Sequence, residues 1–583
     1  MKRWRIRGIC AVFLLLAMAV AGCAAAPVYY LNDDVTMRGI LSGACTGTPD
    51  GHVVYMGYPL TILLAALYRL TEWLHLSVSW FDLFLGGCIL LVGAGVLVNC
   101  WELSRERYIR VGLALTGTLI FAGLLLPHYL YMHYTVVAAI LAGGAMFLWV
   151  TGNGRVLPVT LLVLCYLVRS QVFFLALPFL LVAVLAELTE KHSLREPGTS
   201  LWTRIKKMAL PSLLPLLTLG VVVSVLWGVD CVGYGSPQWR AYREYNDSRT
   251  RLYDYTDFLS TDRYRETYEE LGLDRQQYQV LAHYDLLLDG DVDGELLERT
   301  AQRVEDMGVD KADRGYLGQC LKNYYLQVRY DGRPYSLIWA GGWGLLLTVL
   351  AVRKRWRKLP LLAALLLGRS LIWVYLIARG RFPERIWLSL YLMEICLLLG
   401  MLLRECMGLW ETAAGGRKRW VPLGCLALCL ALVGSAVPVQ LRQTVQRVAQ
   451  QQEKQDQWNL LTDNLDGQYL YLMDVYSAVA YAGEVYERDD GHVMLLGGWL
   501  AQSPLVRQRL AYYDAEDGAE ALLHEKVRLV VEESRDVTWM EEYLQQRLGA
   551  MELQAQETIV CGENLAFVVY RMVERDSFSA DDD

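Results

Sequence analysis

Ten apolar runs, at about 8 to 28, 81 to 100, 109 to 127, 130 to 150, 156 to 188, 208 to 230, 336 to 352, 359 to 378, 384 to 403 and 420 to 438, leave this 583-residue chain few ways to fold. Each is long enough, or nearly so, to cross the roughly 30 Å hydrocarbon core of a bilayer as a helix, and a backbone inside lipid must satisfy its own hydrogen bonds. The chain reads as a polytopic α-helical membrane protein. Five basic clusters lie between the runs: "MKRWRIR" at the start, "RERYIR" at 105 to 110, "EKHSLREPGTSLWTRIKK" at 190 to 207, "RKRWRK" at 353 to 358 and "GRKR" at 416 to 419. The excess of Lys and Arg in cytoplasmic loops assigns all five to the cytoplasm. The count alternates correctly if 156 to 188 crosses twice, as a broken pair near Arg169. That gives about eleven crossings of the cell membrane, with the N-terminus cytoplasmic and the C-terminal region extracytoplasmic.

This layout divides the chain into four parts. Residues 1 to 230 form an N-terminal membrane region whose first external loop spans 29 to 80. Within that loop 53 to 75 carry Pro59, Arg69 and Glu72 among apolar residues, and read as helices lying in the interface. Residues 231 to 334, rich in Tyr, Asp and Arg, form an external, mostly helical cap. Residues 335 to 439 return to the membrane. Residues 440 to 583 form an external stalk and a small α/β domain, because short β-like runs ("QYLYLMD", "HVMLL", "VRLVVEE", "LAFVVYR") alternate with helical pieces. The tail is long enough to hold a core of its own, so cap and tail are expected to be separable in stability.

A formal net charge of -7 with no basic soluble block excludes nucleic acid as a partner. The first run ends in "VAGC", which matches a lipoprotein cleavage pattern at Cys23, yet an Ala-rich signal-anchor produces the same letters. Of 13 cysteines only Cys45, Cys231, Cys320 and Cys561 fall in external segments, with no metal-ligand spacing. Nor is there a Walker loop, an HExxH or a GxSxG, so nucleotide hydrolysis, zinc proteolysis and serine hydrolysis find no support.

The first external loop sets two carboxylates, Asp33 and Asp34, after Asn32 in "YYLNDDVTM", close to hydrocarbon. A charge there is costly unless solvated, paired or used. One of the pair can cap the helix that follows, and a second exceeds what a cap needs. An acidic first loop with interfacial helices, many spans and a C-terminal extracytoplasmic domain resembles the GT-C superfamily of membrane glycosyltransferases. The resemblance implies that a first-loop carboxylate, here Asp33 or Asp34, acts as general base or helps to bind a divalent metal. It implies a polyprenyl-phosphate-linked sugar as donor, with a glycan, lipid or protein as acceptor; no other cofactor is implied.

Such a transfer also needs cations to receive the departing phosphate. In "LIARGRFPERIWLSLYL" Arg379, Arg381 and Arg385 lie on a short outer turn broken by Pro383. Arginine grips phosphate oxygens with a planar fork of donors; the plainer alternative is headgroup snorkelling, with Glu384 pairing one of them. Arg169, the lone charge in "CYLVRSQVFFLALPF", either lines a cavity or rests at the interface. His128 and His133 in "PHYLYMHY" either bind substrate or belong to an aromatic belt, and Asn32 is grouped with the substrate contacts. A flippase of lipid-linked glycan, or a non-catalytic envelope-assembly protein anchored in the membrane, are the competing classes.

Overall fold

The computed structural model describes residues 3–152, 154–193, 210–308, 314–412, 419–481, 483–486 and 491–575. The basic cluster at 190 to 207 and most of that at 416 to 419 lie outside the described residues. The first half comprises α1 (Arg3–Ala24), β1 (Val28–Tyr29), α2 (Asn32–Ser42), α3 (Tyr58–Trp73), α4 (Trp80–Glu102), α5 (Arg107–Ile120), α6 (Leu126–Leu130), β2 (Tyr131–Met132), α7 (Tyr134–Thr151), α8 (Val156–Val168), α9 (Ser170–Ser193) and α10 (Leu210–Gly233). The insertion carries α11 (Pro237–Tyr255), α12 (Arg275–His283), α13 (Gly294–Met307) and α14 (Arg314–Leu326). Then come α15 (Tyr335–Val352), α16 (Leu359–Ala378), α17 (Glu384–Thr412) and α18 (Trp420–Asn464). The tail adds β3 (Leu470–Met473), β4 (Val493–Leu495), β5 (Val527–Glu532), α19 (Thr538–Leu548), β6 (Met551–Gly562) and β7 (Leu565–Glu574).

Among the described residues ten helical stretches are long and apolar enough to cross a membrane. The chain is a multi-pass membrane protein. The run at 156 to 188 breaks at Arg169, whose extended backbone (φ -156°, ψ 99°) separates α8 from α9. At 13 residues α8 reaches only about 20 Å, short of the hydrocarbon thickness, so the eleventh element of the count is a partial crossing. Helices α7 and α17 form the buried centre of the bundle and are covered on nearly every face, α7 being apolar throughout and α17 burying Glu394 and Glu405 with cationic partners. They approach closely where glycine removes a side chain: a Cβ on Gly400 would lie 3.2 Å from the Phe147 Cα. Helix α10 keeps most of its apolar surface exposed, as a lipid-facing element does.

The stalk is not a separate helix. Span and stalk form the single 45-residue α18, about 67 Å long, which carries the chain from the bundle to the soluble sheet. That sheet has the order β4-β3-β5-β7-β6, with β3 parallel to β4 and β5 and β7 antiparallel to β5 and β6. Its edge strand β6 was not expected, because "MELQAQETIVCG" is polar and largely exposed and so lacks the apolar alternation of a half-buried strand.

Cap and tail do not form separate bodies. The Leu287 N–H donates to the Leu496 carbonyl at 2.6 Å, the Gly518 N–H to the Leu287 carbonyl at 2.7 Å and the Val475 N–H to Asp285 Oδ1 at 3.1 Å. Leu286, Leu287 and Leu288 are fully buried, so the cap strip "YDLLLDG" fills part of the tail's own core. A tail expressed alone would expose that gap.

Candidate active site

The first turn of α2 holds Asp33 and Asp34, and neither caps its own helix: the N-cap position is Leu31, without a side-chain bond. Asp34 is fully buried and turns toward α7, where its Oδ1 accepts the Tyr134 N–H at 2.9 Å. It therefore caps a neighbouring helix and docks the first loop on the bundle, a junction extended by the short pairing of β1 with β2. Its Oδ2 has no hydrogen-bond partner. His133 Nδ1 lies 3.8 Å from that oxygen but already accepts the Thr135 N–H at 3.0 Å, so it has no proton to offer. Burial raises the Asp34 carboxyl well above its ordinary range and lowers His133 well below its own, each toward its neutral form.

Asp33 takes the opposite direction. It is half-buried, its side chain makes no hydrogen bond or ion pair among the described residues, and it lines a cavity of about 1120 Å³ between the bundle, the cap and the tail domain. Arg169, Arg381, Arg385 and Asn32 line the same cavity. Arg381 is ion-paired with Asp254 of α11, and both it and Arg379 lie over the Tyr255 ring, Arg379 at 4.8 Å. Two of the three turn arginines thus clamp the cap onto the bundle, and Arg379 does not reach the cavity. Arg385, in the first turn of α17, makes no ion pair among the described residues. Arg169 lies between the rings of Tyr55 and Tyr134, at 4.7 and 5.3 Å, and its Nη1 is buried without a partner.

His128 and His133 lie elsewhere. They line a small adjoining cavity of about 60 Å³ that shares Arg385 with the large one, and His128 is hydrogen-bonded to the Tyr335 hydroxyl at 2.9 Å. Among the described residues no three of His, Cys, Asp and Glu gather closely enough to hold a metal ion.

The cavity wall carries eight arginines against four carboxylates, Asp33, Glu244, Asp247 and Asp254. Arg38 and Arg243 are ion-paired with Asp82 and Asp230 behind the wall, and the smaller positive excess that remains favours anions. The sequence reading missed half of this wall. Arg240, Arg243, Asp247, Thr250 and Asp254 recur at three- and four-residue steps along α11, which places one polar face of the cap helix on the cavity. That spacing was visible in "WRAYREYNDSRTRLYDY", where attention to the aromatic residues concealed it. The Gly497/Gly498 pair also lies on the wall; a Cβ on Gly497 would collide with the Tyr284 carbonyl at 1.7 Å, so that glycine admits the cap's own backbone.

Neither a protein-family model nor a curated protein matches this sequence. Among solved structures the chain is similar to ArnT from Cupriavidus metallidurans bound to undecaprenyl phosphate, at 12% identity and a TM-score of 0.38, over 96% of this chain and 98% of that chain. It is similar to the apo state of the same protein at 11% identity and a TM-score of 0.37, over the same shares. A likeness of that degree carries no argument about the chemistry of this chain.

Proposed function

We propose that the chain is a membrane glycosyltransferase that moves a sugar from a polyprenyl-phosphate-linked donor to an acceptor in the cavity beneath the cap, on the outer face of a bacterial cytoplasmic membrane. The observation that carries the reading is the meeting, in one enclosure at the ends of membrane helices, of an unengaged carboxylate, Asp33, with an unengaged guanidinium, Arg385. Asp33 takes the proton of the acceptor hydroxyl or amine as that atom bonds to the anomeric carbon. The bond from that carbon to the phosphate oxygen breaks, and Arg385 with Arg169 Nη1 receives the charge left on the polyprenyl phosphate. Asp34, buried and bonded to the start of α7, holds the loop that aims Asp33. A volume of about 1120 Å³ exceeds the roughly 300–1,000 Å³ typical of a single small-molecule pocket and has room for sugar and acceptor together. The roof of cap and tail excludes water, which would otherwise consume the donor.

Two measurements test this. Native mass spectrometry of the full chain extracted in lipid nanodiscs is expected to find a bound polyprenyl-phosphate species, lost in the Arg169→Ala/Arg385→Ala double variant. Incubation with a labelled polyprenyl-phosphate hexose is expected to release free polyprenyl phosphate as label appears on an envelope glycan. Movement of the intact donor across the membrane without its cleavage would establish the flippase reading instead.

A further inference from the structure

The cavity wall carries a further cationic group that the transfer step does not use. Arg249 of α11 is only 4% exposed, yet among the described residues no carboxylate is bonded to it. Its guanidinium donates to Asn246 Oδ1 at 3.0 Å, to the Tyr55 hydroxyl at 3.0 Å, to Thr250 Oγ1 at 3.0 Å and to the Tyr284 hydroxyl. Every one of these acceptors is neutral. Two carboxylates act on it through space only: Asp254, which is bound by Arg381, and Asp247, which shares the cavity wall. A buried cation to which no carboxylate is bonded is costly unless an anion completes it.

The two phenols show where that anion would sit. Each accepts a hydrogen bond from Arg249 and, among the described residues, donates its own O–H proton to no protein atom. Both line the cavity. Burial pushes the Tyr284 phenol up to about 12, so it keeps its proton. Hydroxyls that accept from a guanidinium become stronger donors, because successive hydrogen bonds polarise one another. Arg169 lies over the face of Tyr55, with its buried Nη1 unpartnered, and lines the same cavity.

We infer that Tyr55 and Tyr284, backed by Arg249, form a second oxyanion subsite, which receives an acidic group of the acceptor, so that the acceptor is a phosphate- or carboxylate-bearing glycan. Calling the ligand an acceptor rests on the transferase reading above; the binding of an oxyanion at this place does not.

The test uses the full chain in nanodiscs loaded with polyprenyl monophosphate to occupy the Arg385 side. Trp499, whose ring lies 5.1 Å from that of Tyr55, serves as the fluorescent reporter. Glucose 6-phosphate is expected to bind at least about tenfold more tightly than glucose and than inorganic phosphate, as charge-assisted hydrogen bonds added to sugar contacts require. Arg249→Gln is expected to weaken the sugar phosphate about tenfold or more, and Tyr55→Phe/Tyr284→Phe, which keeps the guanidinium, by about fivefold. Polyprenyl monophosphate binding should change less than about twofold in both and collapse in Arg385→Ala. Should Arg249→Gln fail to fold, the double phenylalanine variant decides. The subsite is refuted if glucose 6-phosphate binds no better than glucose, or if Arg385→Ala weakens it as much as Arg249→Gln does. Inorganic phosphate binding as tightly as the sugar phosphate overturns the acceptor assignment. Sugar-phosphate binding that depends on Arg249 in a protein with no lipid binding or transfer would sustain the subsite and sink the transferase.

Discussion

Two arginines sixteen positions apart, Arg369 and Arg385, show opposite uses of a charge near lipid. Arg369, on α16, is 1% exposed; its Nε donates to Glu394 Oε2 at 2.9 Å, its Nη1 donates to the Tyr324 hydroxyl at 2.6 Å, and the rings of Trp339 and Trp373 each lie 4.4 Å from its guanidinium carbon. Glu394 in turn accepts the Trp343 indole N–H at 3.2 Å. This ion pair, caged in aromatic rings, joins α16 to α17. Arg385, in the first turn of α17, has neither a bonded carboxylate nor an aromatic cage among the described residues, and lines a cavity. A charge with a bonded counter-charge, as Arg369 has although its Nη2 is unpartnered, is architecture, and one left without a counter-charge on a cavity wall is reserved for a ligand. The same contrast separates Asp34, buried and used as a cap, from its neighbour Asp33.

The comparison can be broken by substitution. The largest effect is expected from Arg369→Met, which strands a buried carboxylate and should cost about 3–5 kcal/mol in unfolding experiments in detergent, whereas Arg369→Met/Glu394→Leu should recover most of that loss. Transfer per folded molecule should be unchanged in the double variant. Loss of transfer with retained stability would make the caged pair functional. Arg385→Ala should leave stability within about 0.5 kcal/mol and weaken carrier binding by about ten- to a hundredfold, with Lys restoring part, since a point charge cannot reproduce the fork. A large stability loss there would show that Arg385 is architectural after all.

The smallest effect concerns Asp34. The folded protein holds its proton more tightly than the unfolded chain does. Its contribution to stability is therefore fully present below about pH 3.9 and is lost as pH rises through the raised folded value. Asp34→Asn keeps an oxygen for the Tyr134 N–H and cannot ionise, so its melting temperature should gain on that of the parent as pH rises from 5 to 9. The reverse slope would mean that Asp34 is ionised and paired in the fold.

Much of this architecture could be read from the order of residues. Long apolar runs locate membrane helices because lipid leaves the backbone no other choice, and the break at Arg169 followed from the need for alternation. The acidic loop and the arginine turn were legible because unpaired charge near hydrocarbon is conspicuous. Arg369 and Glu394 were passed over because each is one charge inside an otherwise apolar run, and the pairing across two helices that neutralises them is a tertiary fact. The division of labour between Asp33 and Asp34 was equally hidden: adjacent helical residues point about 100° apart, and only the position of α7 decides which is buried. The cap-to-tail junction depends on the strip at 285 to 289, whose apolar letters are too few to announce a partner so far along the chain.

The central claim, that the unengaged carboxylate is the base while its buried neighbour only aims it, is tested most directly by measuring turnover and carrier binding in parallel for Asp33→Asn and Asp34→Asn in nanodiscs. The account predicts that Asp33→Asn lowers sugar transfer by about a hundredfold or more, with polyprenyl-phosphate binding changed less than about threefold, and that Asp34→Asn keeps most of the turnover. Full activity in Asp33→Asn, or a collapse confined to Asp34→Asn, would contradict it.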